Sequence, residues 1–431
     1  MTKNFIEVLQ WRGMLHDFMP GAETHLLEKM RVAYIGFDPT SDSLHIGNLV
    51  PIMLLAHFQR CGHKPVALVG GATGMIGDPS GKSAERNLLD ESTLSHNQEA
   101  LQKQLAHFLE FDTPNANAAL MVNNYDWMKD ISFLEFIRDV GKHISVNYMM
   151  AKDSVKNRIA SENKEGMSFT EFTYQLVQGY DFLHLFQTHG CTLQMGGSDQ
   201  WGNITTGTEL IRRAANGKGF AITCPLITKS DGSKFGKSEG GNVWLDPNRT
   251  SPYKFFQYWL NSSDEDAEKY IKIFTFLEKD VIEDLVQLHK KQPHARALQK
   301  RLAYDITNMV HGTADCENAE KASQILHSKA FKTDISSLDE ATFLDVFEGV
   351  PQADVSRAKI EAGLEMIAAL CSETRFLTSN GEARRALKEN SVSVNKEKVN
   401  EFYVLSVSDL INDIYIIINR GKRNTFIIRA V

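Results

Sequence analysis

Residues 31 to 69 carry the pattern of a strand, a turn, a helix and a second strand. Two apolar runs, Arg31 to Phe37 and Pro65 to Val69, have strand character. Between them, the turn cluster Asp38 to Ser43 precedes a helix predicted over His45 to Arg60. A strand, helix and strand at this spacing form a βαβ unit, in which the strands are parallel and the crossover is right-handed. The pattern therefore predicts an α/β fold built on a parallel sheet.

The same pattern occurs again later in the chain. A strand is predicted at Thr192 to Met195, a helix at Trp201 to Ala215 and a further strand at Ile222 to Ile227. We therefore expect a Rossmann-like parallel-sheet domain over residues 1–225, with a helical insertion at about 132–187. The remaining segments are predicted to be a mobile loop, an α-helical domain, a linker and a small α+β domain, over 226–250, 251–330, 331–360 and 361–431.

Composition narrows the class of protein. Hydrophobic residues make up 42% and charged residues 23%, as in soluble globular proteins, and the longest apolar run, Leu49 to Ala56, is too short to span a membrane. The N-terminal segment contains Glu7 and has no apolar core of a secretion signal. The five cysteines include no Cys-x-x-Cys pair, so neither a zinc cluster nor a disulfide framework is expected, and a reducing cytoplasm fits.

Charge is distributed unevenly along the chain. The net charge is −7, yet the segment from Arg375 onward holds ten Lys and Arg against six Asp and Glu. A basic segment on an acidic body fits a local contact with nucleic acid, and it equally fits a randomly basic surface. Charge alone leaves these two interpretations open.

Two short strings typical of phosphate binding are far apart in the sequence. The first, His45-Ile46-Gly47-Asn48, falls at the start of a predicted helix, where free N–H groups favour phosphate and Gly47 leaves room for a nucleotide. The second, residues 234–238 (Lys-Phe-Gly-Lys-Ser), lies in a glycine-rich loop whose lysines could close on a polyphosphate. Taken alone, the first string fits an ordinary capped helix and the second a solvated basic loop. In this order and at this separation, they indicate activation of a carboxylic acid by ATP to an adenylate.

A glycine-rich segment, Gly70 to Ser83, follows the second strand and ends in Gly-Lys-Ser. It is not a P-loop, because Ile76 stands where that motif needs its first glycine. We interpret it as a loop close to the substrate that presents Asp78, with Lys82 and Arg86 as possible phosphate cations.

Three polar residues, Tyr174, Gln178 and Asp181, are spaced so that they share one face of a predicted helix. A polar face is usually solvated, but this one contains no Lys or Glu. The wall of a polar pocket is at least as good an interpretation.

These strings together resemble one family, the bacterial tyrosyl-tRNA synthetases of class I, over nearly the whole chain. The strings that carry the resemblance are Tyr34 to Thr40, Leu44 to Gly47, Gly70 to Gly81, Phe172 to Tyr174, Gly196 to Asn203 and Lys234 to Ser238. The resemblance implies a ligase that converts tyrosine and ATP to tyrosyl-adenylate and pyrophosphate, and then transfers tyrosine to the 3′-terminal adenosine of tRNA(Tyr). It also implies a cytoplasmic homodimer joined through the helical insertion.

The resemblance further implies a role for each site residue. Tyrosine would be bound by Tyr34, Asp78, Tyr174, Gln178 and Asp181. ATP and the adenylate would be bound by Asp38, Gly47, Asn48, Gly197, Asp199, Gln200 and Lys237. The reacting triphosphate would be stabilised by Thr40, His45, Lys82, Arg86, Lys234 and Lys237.

Outside the catalytic domain, the resemblance implies that residues 251–330 contact tRNA and that 361–431 form an S4-like RNA-binding domain. Its RNA contacts would come from Arg384, Arg385, Lys388, Arg420, Lys422 and Arg423. ATP is then a substrate accompanied by Mg²⁺. No tightly bound cofactor, no metal site in the protein and no membrane partner is implied.

The chain departs from the family pattern at Asn48, where the signature has a second histidine. An Asn amide can still donate a hydrogen bond, so we expect an altered contact to ribose, and Ile35 and Pro51 could also change the affinity for ATP. One alternative is a synthetase-derived RNA-binding protein without catalysis, against which the complete set of phosphate cations argues. Another is a tryptophan-specific relative, against which Tyr34 and Asp181 argue together.

Overall fold

The computed structural model describes residues 3–77, 90–160, 167–238, 241–325, 335, 337–348, 350–421 and 424–431. Two compact units divide the chain. The first is Met1–Thr250 with Tyr258–Val310, and the second is Ser251–Gln257 with His311–Val431. The parallel sheet lies in the first unit.

The central sheet of the first unit contains six described strands. They are β1 (Asp17–Phe18), β2 (Val32–Phe37), β3 (Lys64–Val69), β4 (Leu120–Asn123), β5 (Cys191–Gly197) and β6 (Phe220–Cys224). Their order in the sheet is β1-β6-β5-β2-β3-β4, and all neighbours are parallel except β1 and β6. The predicted α/β fold is thereby confirmed. The order reverses between β2 and β5, the position at which open α/β sheets form a crevice beyond the carboxyl ends of their strands.

Helices connect these strands and continue beyond them. They are α1 (Phe5–Arg12), α2 (Ala22–Glu28), α3 (Leu49–Arg60), α4 (Gly71–Ile76), α5 (Glu91–Leu105), α6 (Tyr125–Met128), α7 (Phe133–Asp139), α8 (Val146–Met150), α9 (Asp153–Ala160), α10 (Phe169–His189), α11 (Trp201–Ala214), α12 (Pro252–Leu260), α13 (Asp264–Phe274), α14 (Lys279–Lys291) and α15 (Ala297–His311). Among the described helices, none is both long and apolar enough to cross a membrane.

Helix α10 connects the core to the crevice. A capping box starts it, in which the Ser168 side chain accepts from the Glu171 N–H and the Glu171 side chain accepts from the Ser168 N–H. Gly190, with a left-handed φ of 61°, ends it. Phe182 of this helix is fully buried and packs against the Tyr34 ring of β2, with ring centroids 5.4 Å apart. The helix is therefore fixed against the sheet at the level of the crevice.

Two local predictions near the crevice need correction. The helix predicted to begin at His45 begins at Leu49, because residues 46–48 form a 3-10 turn that the His45 side chain caps. The glycine-rich segment predicted as a loop begins as helix α4, over Gly71–Ile76. Residues 78–89, which include the rest of that segment, lie outside the described residues.

The last two strands of the first unit, β7 (Lys237–Ser238) and β8 (Gly241–Asn242), form a short antiparallel pair. The second unit contains a small mixed sheet with helices around it. Its helices are α16 (Thr313–Ile325), α17 (Glu340–Val346), α18 (Arg357–Glu361), α19 (Met366–Ala368) and α20 (Asn380–Lys388), and a π-helical turn covers Ala369–Glu373. Its strands are β9 (Gln352–Val355), β10 (Leu364–Glu365), β11 (Val392–Val394), β12 (Glu397–Lys398), β13 (Val404–Leu405), β14 (Tyr415–Arg420) and β15 (Asn424–Ala430).

Five of these strands form a sheet in the order β12-β11-β14-β15-β9, and β10 pairs with β13. Residues 361–431, for which a small α+β domain is predicted, contain both helices and strands, among them α20, β11 and β14. The segment predicted as a linker contains regular structure instead, since it includes α17 and β9. Strand β9 pairs in parallel with β15, and so joins the sheet across more than 70 residues of sequence.

Candidate active site

A cavity of about 580 Å³ lies at the carboxyl ends of β2, β3 and β5. The segments that line it are distant in sequence, and the fold brings them together. Of the predicted site residues, the lining includes Tyr34, Asp38, Thr40, His45, Gly47, Asn48, Tyr174, Gln178, Asp181, Gly197, Asp199 and Gln200. Most of the predicted tyrosine and nucleotide residues therefore face one space.

Tyr34 and Asp181 form a buried polar pair in this cavity. Each side chain belongs to a residue that is only 1% exposed. The Tyr34 hydroxyl has no hydrogen-bond partner among the described residues, although it is fully enclosed. A buried polar atom without a partner is costly, so the geometry calls for a ligand that supplies one.

The environment sets the protonation of this pair. Burial raises the pKa of Asp181 to about 7, and hydrogen bonds from Asn124 and Trp127 act in the opposite direction. Burial, and next the charge of Asp181, raise the pKa of Tyr34 well above its usual value. Tyr34 is therefore a permanent hydroxyl donor, while Asp181 can accept. Together they can bind a hydroxyl group that both accepts and donates.

Two residues that the sequence analysis missed hold Asp181 in place. The Asn124 amide nitrogen donates to Asp181 Oδ2 at 3.0 Å and to Thr73 Oγ1 at 3.0 Å, while Asn124 Oδ1 accepts from the Ala72 N–H at 2.7 Å. The Trp127 indole donates to Asp181 Oδ1 at 2.9 Å. Both residues follow the end of β4, and a position just after a parallel strand is the signal that could have found them.

The polar face of α10 lines the cavity, so the structure favours the pocket wall over the solvated face. Tyr174 is 4% exposed, and Gln178 Nε2 donates to Gln200 Oε1 at 3.5 Å. Asn203 Nδ2 also donates to Gln200 Oε1, at 3.3 Å. Gln200 comes from the 3-10 turn after β5, so these bonds connect the helix face to the strand end beside it.

Glycines make room for polar side chains at the strand ends. A Cβ on Gly197 would lie 2.5 Å from Asp199 Oδ1, and a Cβ on Gly70 would lie 2.4 Å from Thr73 Oγ1. Real Cβ atoms do not approach this closely, so any larger residue would displace these side chains. The glycines therefore leave the space that this carboxylate and this hydroxyl group occupy beside the cavity.

The turn at His45 is organised by its own side chains. His45 Nδ1 accepts from the Gly47 N–H at 3.0 Å, and Asn48 Oδ1 accepts from the His45 N–H at 3.0 Å. A Cβ on Gly47 would lie 2.7 Å from His45 Cε1. Gly47 is thus required by the imidazole ring itself, in addition to the room for a nucleotide that we predicted. Asn48 uses its oxygen in this turn, which leaves its amide nitrogen as its donor.

The protonation of His45 follows from these contacts. Burial, and next the nearby charge of Lys237, lower the pKa of His45, so the neutral imidazole is favoured. Since Nδ1 is an acceptor, the single proton of the neutral ring sits on Nε2. His45 therefore presents an N–H donor from Nε2.

The second string of the sequence packs directly against the first. Gly236 has φ of 84°, and a Cβ there would lie 3.0 Å from the Gly47 nitrogen. The Gly236 N–H donates to the Tyr258 hydroxyl at 3.0 Å. Lys234 and Lys237 on either side are exposed. Only a glycine allows this close approach, so the loop carries its two lysines to the His45 turn.

Five of the predicted site residues are not among the residues that the structure describes. Asp78, Lys82 and Arg86 lie outside the described residues, as do Lys422 and Arg423. Within the described part of the chain, no group of three or more His, Cys, Asp or Glu residues could hold a metal ion.

The predicted RNA-contacting residues of the second unit divide into two kinds. Arg384, Arg385 and Lys388 are exposed on α20. Arg420 forms an ion pair with Glu382, so its charge is partly neutralised within the unit. Among the described candidates, the three cations of α20 are therefore the exposed ones.

The matches to known protein families cover parts of both units. Residues 28–328 match the family described as tRNA synthetases class I (W and Y), and residues 342–428 match the tyrosine–tRNA ligase SYY-like C-terminal domain. The chain is 60% identical to the tyrosine–tRNA ligase of Flavobacterium psychrophilum over 430 residues, covering 99% of this chain and 100% of that protein. It is also 60% identical to the tyrosine–tRNA ligase of Bacteroides thetaiotaomicron over 428 residues, covering 99% and 100%.

Among solved structures, the chain is similar to a C-terminally truncated mitochondrial tyrosyl-tRNA synthetase from Aspergillus nidulans. The TM-score is 0.66 at 31% identity, and the match covers 75% of this chain and 94% of that chain. A tryptophanyl-tRNA synthetase from Encephalitozoon cuniculi has a TM-score of 0.51 at 14% identity, over 73% of this chain and 87% of that chain, which is a likeness of fold alone.

Proposed function

This chain belongs to the tyrosine–tRNA ligases, within the class I tRNA synthetases, and we propose that its cavity binds tyrosine and ATP side by side in the way set out below. The enzyme joins tyrosine to tRNA in two steps. In the first, a carboxylate oxygen of tyrosine bonds to the α-phosphorus of ATP, and the bond to the β-phosphate oxygen breaks, so that pyrophosphate leaves. In the second, a hydroxyl of the 3′-terminal adenosine attacks the carbonyl carbon, loses its proton, and AMP leaves.

The observation that carries the assignment of the cavity is the buried pair of Tyr34 and Asp181. We assign this pair to the phenolic hydroxyl of tyrosine, which would donate to Asp181 and accept from the unpartnered Tyr34 hydroxyl. Phenylalanine would leave both groups buried without a partner, and that penalty selects against it. Tyrosine-specific synthetases are themselves a standard example of this rule. Tyr174 and Gln178, with Asp78, would hold the ammonium group at the other end of the amino acid.

The first step needs no general base, because the tyrosine carboxylate is already a nucleophile. Catalysis then consists of positioning and of stabilising charge on the polyphosphate. We assign the stabilising role to Thr40, to the Nε2–H of His45, and to Lys82, Arg86, Lys234 and Lys237. Asp38, Gly47, Asn48, Gly197, Asp199 and Gln200 would contact the ATP and adenylate moiety. Mg²⁺ would arrive with ATP as part of the substrate, bound by phosphate oxygens.

The experiment that tests this assignment is tyrosine-dependent exchange of labelled pyrophosphate into ATP, with tryptophan and phenylalanine as controls. We expect exchange with tyrosine alone. Exchange with phenylalanine at a similar rate would refute the role of Tyr34 and Asp181. Folded protein that binds RNA but gives no exchange with any amino acid would favour the RNA-binding alternative.

The second unit is proposed to bind tRNA(Tyr) through α20. The support is the set of exposed cations Arg384, Arg385 and Lys388 on one helix. The double variant Arg384→Ala, Arg385→Ala should raise the KM for tRNA and make it less sensitive to salt, because each neutralised phosphate contact contributes to both. Pyrophosphate exchange should stay unchanged, since it does not involve tRNA. An unchanged KM for tRNA would remove α20 from the interface.

We also propose that the enzyme acts in the cytoplasm as a homodimer. The support for the compartment is that all five cysteines are free thiols, four of them buried. The support for the dimer is a group of exposed apolar side chains in the helical insertion: Phe133, Leu134, Ile137, Val146, Met150 and Phe169. Apolar groups in such number on one insertion indicate an interaction surface.

A further inference from the structure

A segment after the second string, Val243 to Thr250, is bonded to the His45 turn along its backbone. The Ile46 N–H donates to the Val243 carbonyl at 2.9 Å, and the Leu245 N–H donates to the Leu44 carbonyl at 2.8 Å. These two bonds flank a bridge between His45 and Trp244. The backbone therefore places the Trp244 side chain next to the His45 ring, independently of any ligand.

The two rings are in contact. The centroid of the Trp244 ring lies 5.9 Å from that of His45, at an interplanar angle of 72°. This is the edge-to-face arrangement that aromatic rings prefer. The hydrogen bond from the Gly47 N–H to Nδ1 restrains one edge of the imidazole, but one bond still allows the ring to tilt. The indole supplies a second restraint, so the direction of the Nε2–H bond is set by both.

Trp244 is itself restrained by contacts with Arg249 and Thr250. The Arg249 guanidinium lies 4.7 Å from the centroid of the Trp244 ring and forms an ion pair with Asp42. The backbone N–H of Trp244 donates to Thr250 Oγ1 at 2.9 Å. Asp42 belongs to the turn before His45, so the contacts from Asp42 through Arg249 and Trp244 lead back to His45.

We infer that Trp244, supported by Arg249 and Asp42, is a positioning residue that aims the Nε2–H of His45 at the triphosphate. The inference rests on the proposed role of His45. It follows from the geometry because a donor that stabilises developing charge must be fixed before the reaction, and a small misplacement lowers the rate steeply. Because Trp244 acts through His45, replacing it should lower the rate of the chemical step, which is measured as kcat.

Two substitutions at one position separate positioning from simple loss of packing. Trp244→Leu keeps an apolar side chain but removes the ring that meets His45, whereas Trp244→Phe keeps an aromatic ring. In pyrophosphate exchange, we expect Trp244→Leu to lower kcat roughly ten- to a hundredfold. The KM values for tyrosine and ATP should stay within about twofold if Trp244, which also lines the cavity, acts through His45 and does not bind either substrate. Trp244→Phe should restore most of kcat.

A double-mutant cycle with His45→Ala decides whether Trp244 acts through His45. If it does, Trp244→Leu costs little further activity once His45 is gone, so the two losses are far from additive. Additive losses would overturn the inference, as would a raised KM for ATP with kcat unchanged, which would mean that Trp244 binds ATP directly. Full kcat in His45→Ala would instead refute the proposed role of His45. Tyrosine binding measured by calorimetry should be unaltered in every variant and serves as the check on folding.

Discussion

The protonation of individual cavity residues depends on their surroundings, and Asp181 is the clearest case. Asp181 accepts hydrogen bonds from Asn124 and Trp127, which favour its charged form, yet its pKa is raised to about 7. Desolvation must therefore outweigh both bonds. An aspartate that titrates near neutrality in a closed site links the stability of the protein to pH.

We predict that Asp181 makes the enzyme less stable as the pH rises toward 8. Its pKa is about 7 in the folded protein and near 3.8 in the unfolded chain, so between these values only the folded state holds the proton. The stabilisation is complete below pH 4 and is lost as the pH rises through 7. Asp181→Asn cannot titrate, so the wild type should lose on the order of a few kcal/mol of unfolding free energy relative to this variant between pH 5 and pH 8.

Urea unfolding of both proteins at pH 5 and pH 8 measures this difference. Asp231→Asn is the matched control, because Asp231 is exposed and its hydrogen bonds with Ser233 lower its pKa, so it stays charged throughout that range. The prediction is wrong if the gap between the wild type and Asp181→Asn is the same at both pH values.

At the scale of an element, the loop segment from Lys229 to Ser238 is anchored by one aromatic residue. Phe235 stacks on Phe274, with centroids 5.2 Å apart and an interplanar angle of 4°, and it contacts Tyr270 at 5.1 Å. Tight turns and the β7–β8 pair lie on either side of it. The aromatic anchor explains how a glycine-rich loop can present Lys234 and Lys237 at a defined place. Its mobility stays a prediction.

Phe235→Ala should release this anchor. We expect kcat for pyrophosphate exchange to fall by about tenfold or more, because the lysines lose their defined position, while tyrosine binding is unchanged. The free energy of unfolding should fall by about 2–3 kcal/mol, below the usual range for a fully buried Phe because this side chain is partly exposed. Phe235→Leu keeps an apolar anchor, so its kcat and its free energy of unfolding should lie between those of the wild type and of Phe235→Ala. Wild-type kcat in Phe235→Ala would show that the anchor does not position the lysines.

For the molecule as a whole, exposed apolar residues are concentrated in the helical insertion. Leu134 is 76% exposed, Phe169 69% and Phe133 65%. Side chains of this kind are normally buried, and several within one insertion indicate an interaction surface, which a second copy of the chain would cover in the proposed homodimer.

We predict that Leu134→Asp converts the proposed dimer to a monomer, because a carboxylate in an apolar interface would be desolvated without a partner. Sedimentation velocity at micromolar concentration measures the change. Phe402→Asp is the matched control, since Phe402 of the second unit is 82% exposed and lies outside the insertion, so it should leave the oligomeric state unaltered. A dimer that persists in Leu134→Asp and in Phe169→Asp would place the interface elsewhere.

The sequence by itself determined the α/β fold, the family and the set of segments that meet at the cavity. It could do so because the strings that carry the resemblance are short and lie mostly at strand ends and helix starts, where local residue types indicate the chemistry. The roles of those residues stay predictions. Where the sequence misled, at the glycine-rich segment and at the supposed linker, the residues form α4 and β9 because neighbours far away in the chain complete their hydrogen bonds or packing.

Only the tertiary structure decided how the site residues are tuned. The raised pKa of Asp181, the partners Asn124 and Trp127, and the contact of Trp244 with His45 all depend on distances between residues that are 50 to 200 positions apart. Burial and mutual orientation are properties of the packed chain, and desolvation, which dominates the pKa of Asp181, exists only once the core has closed.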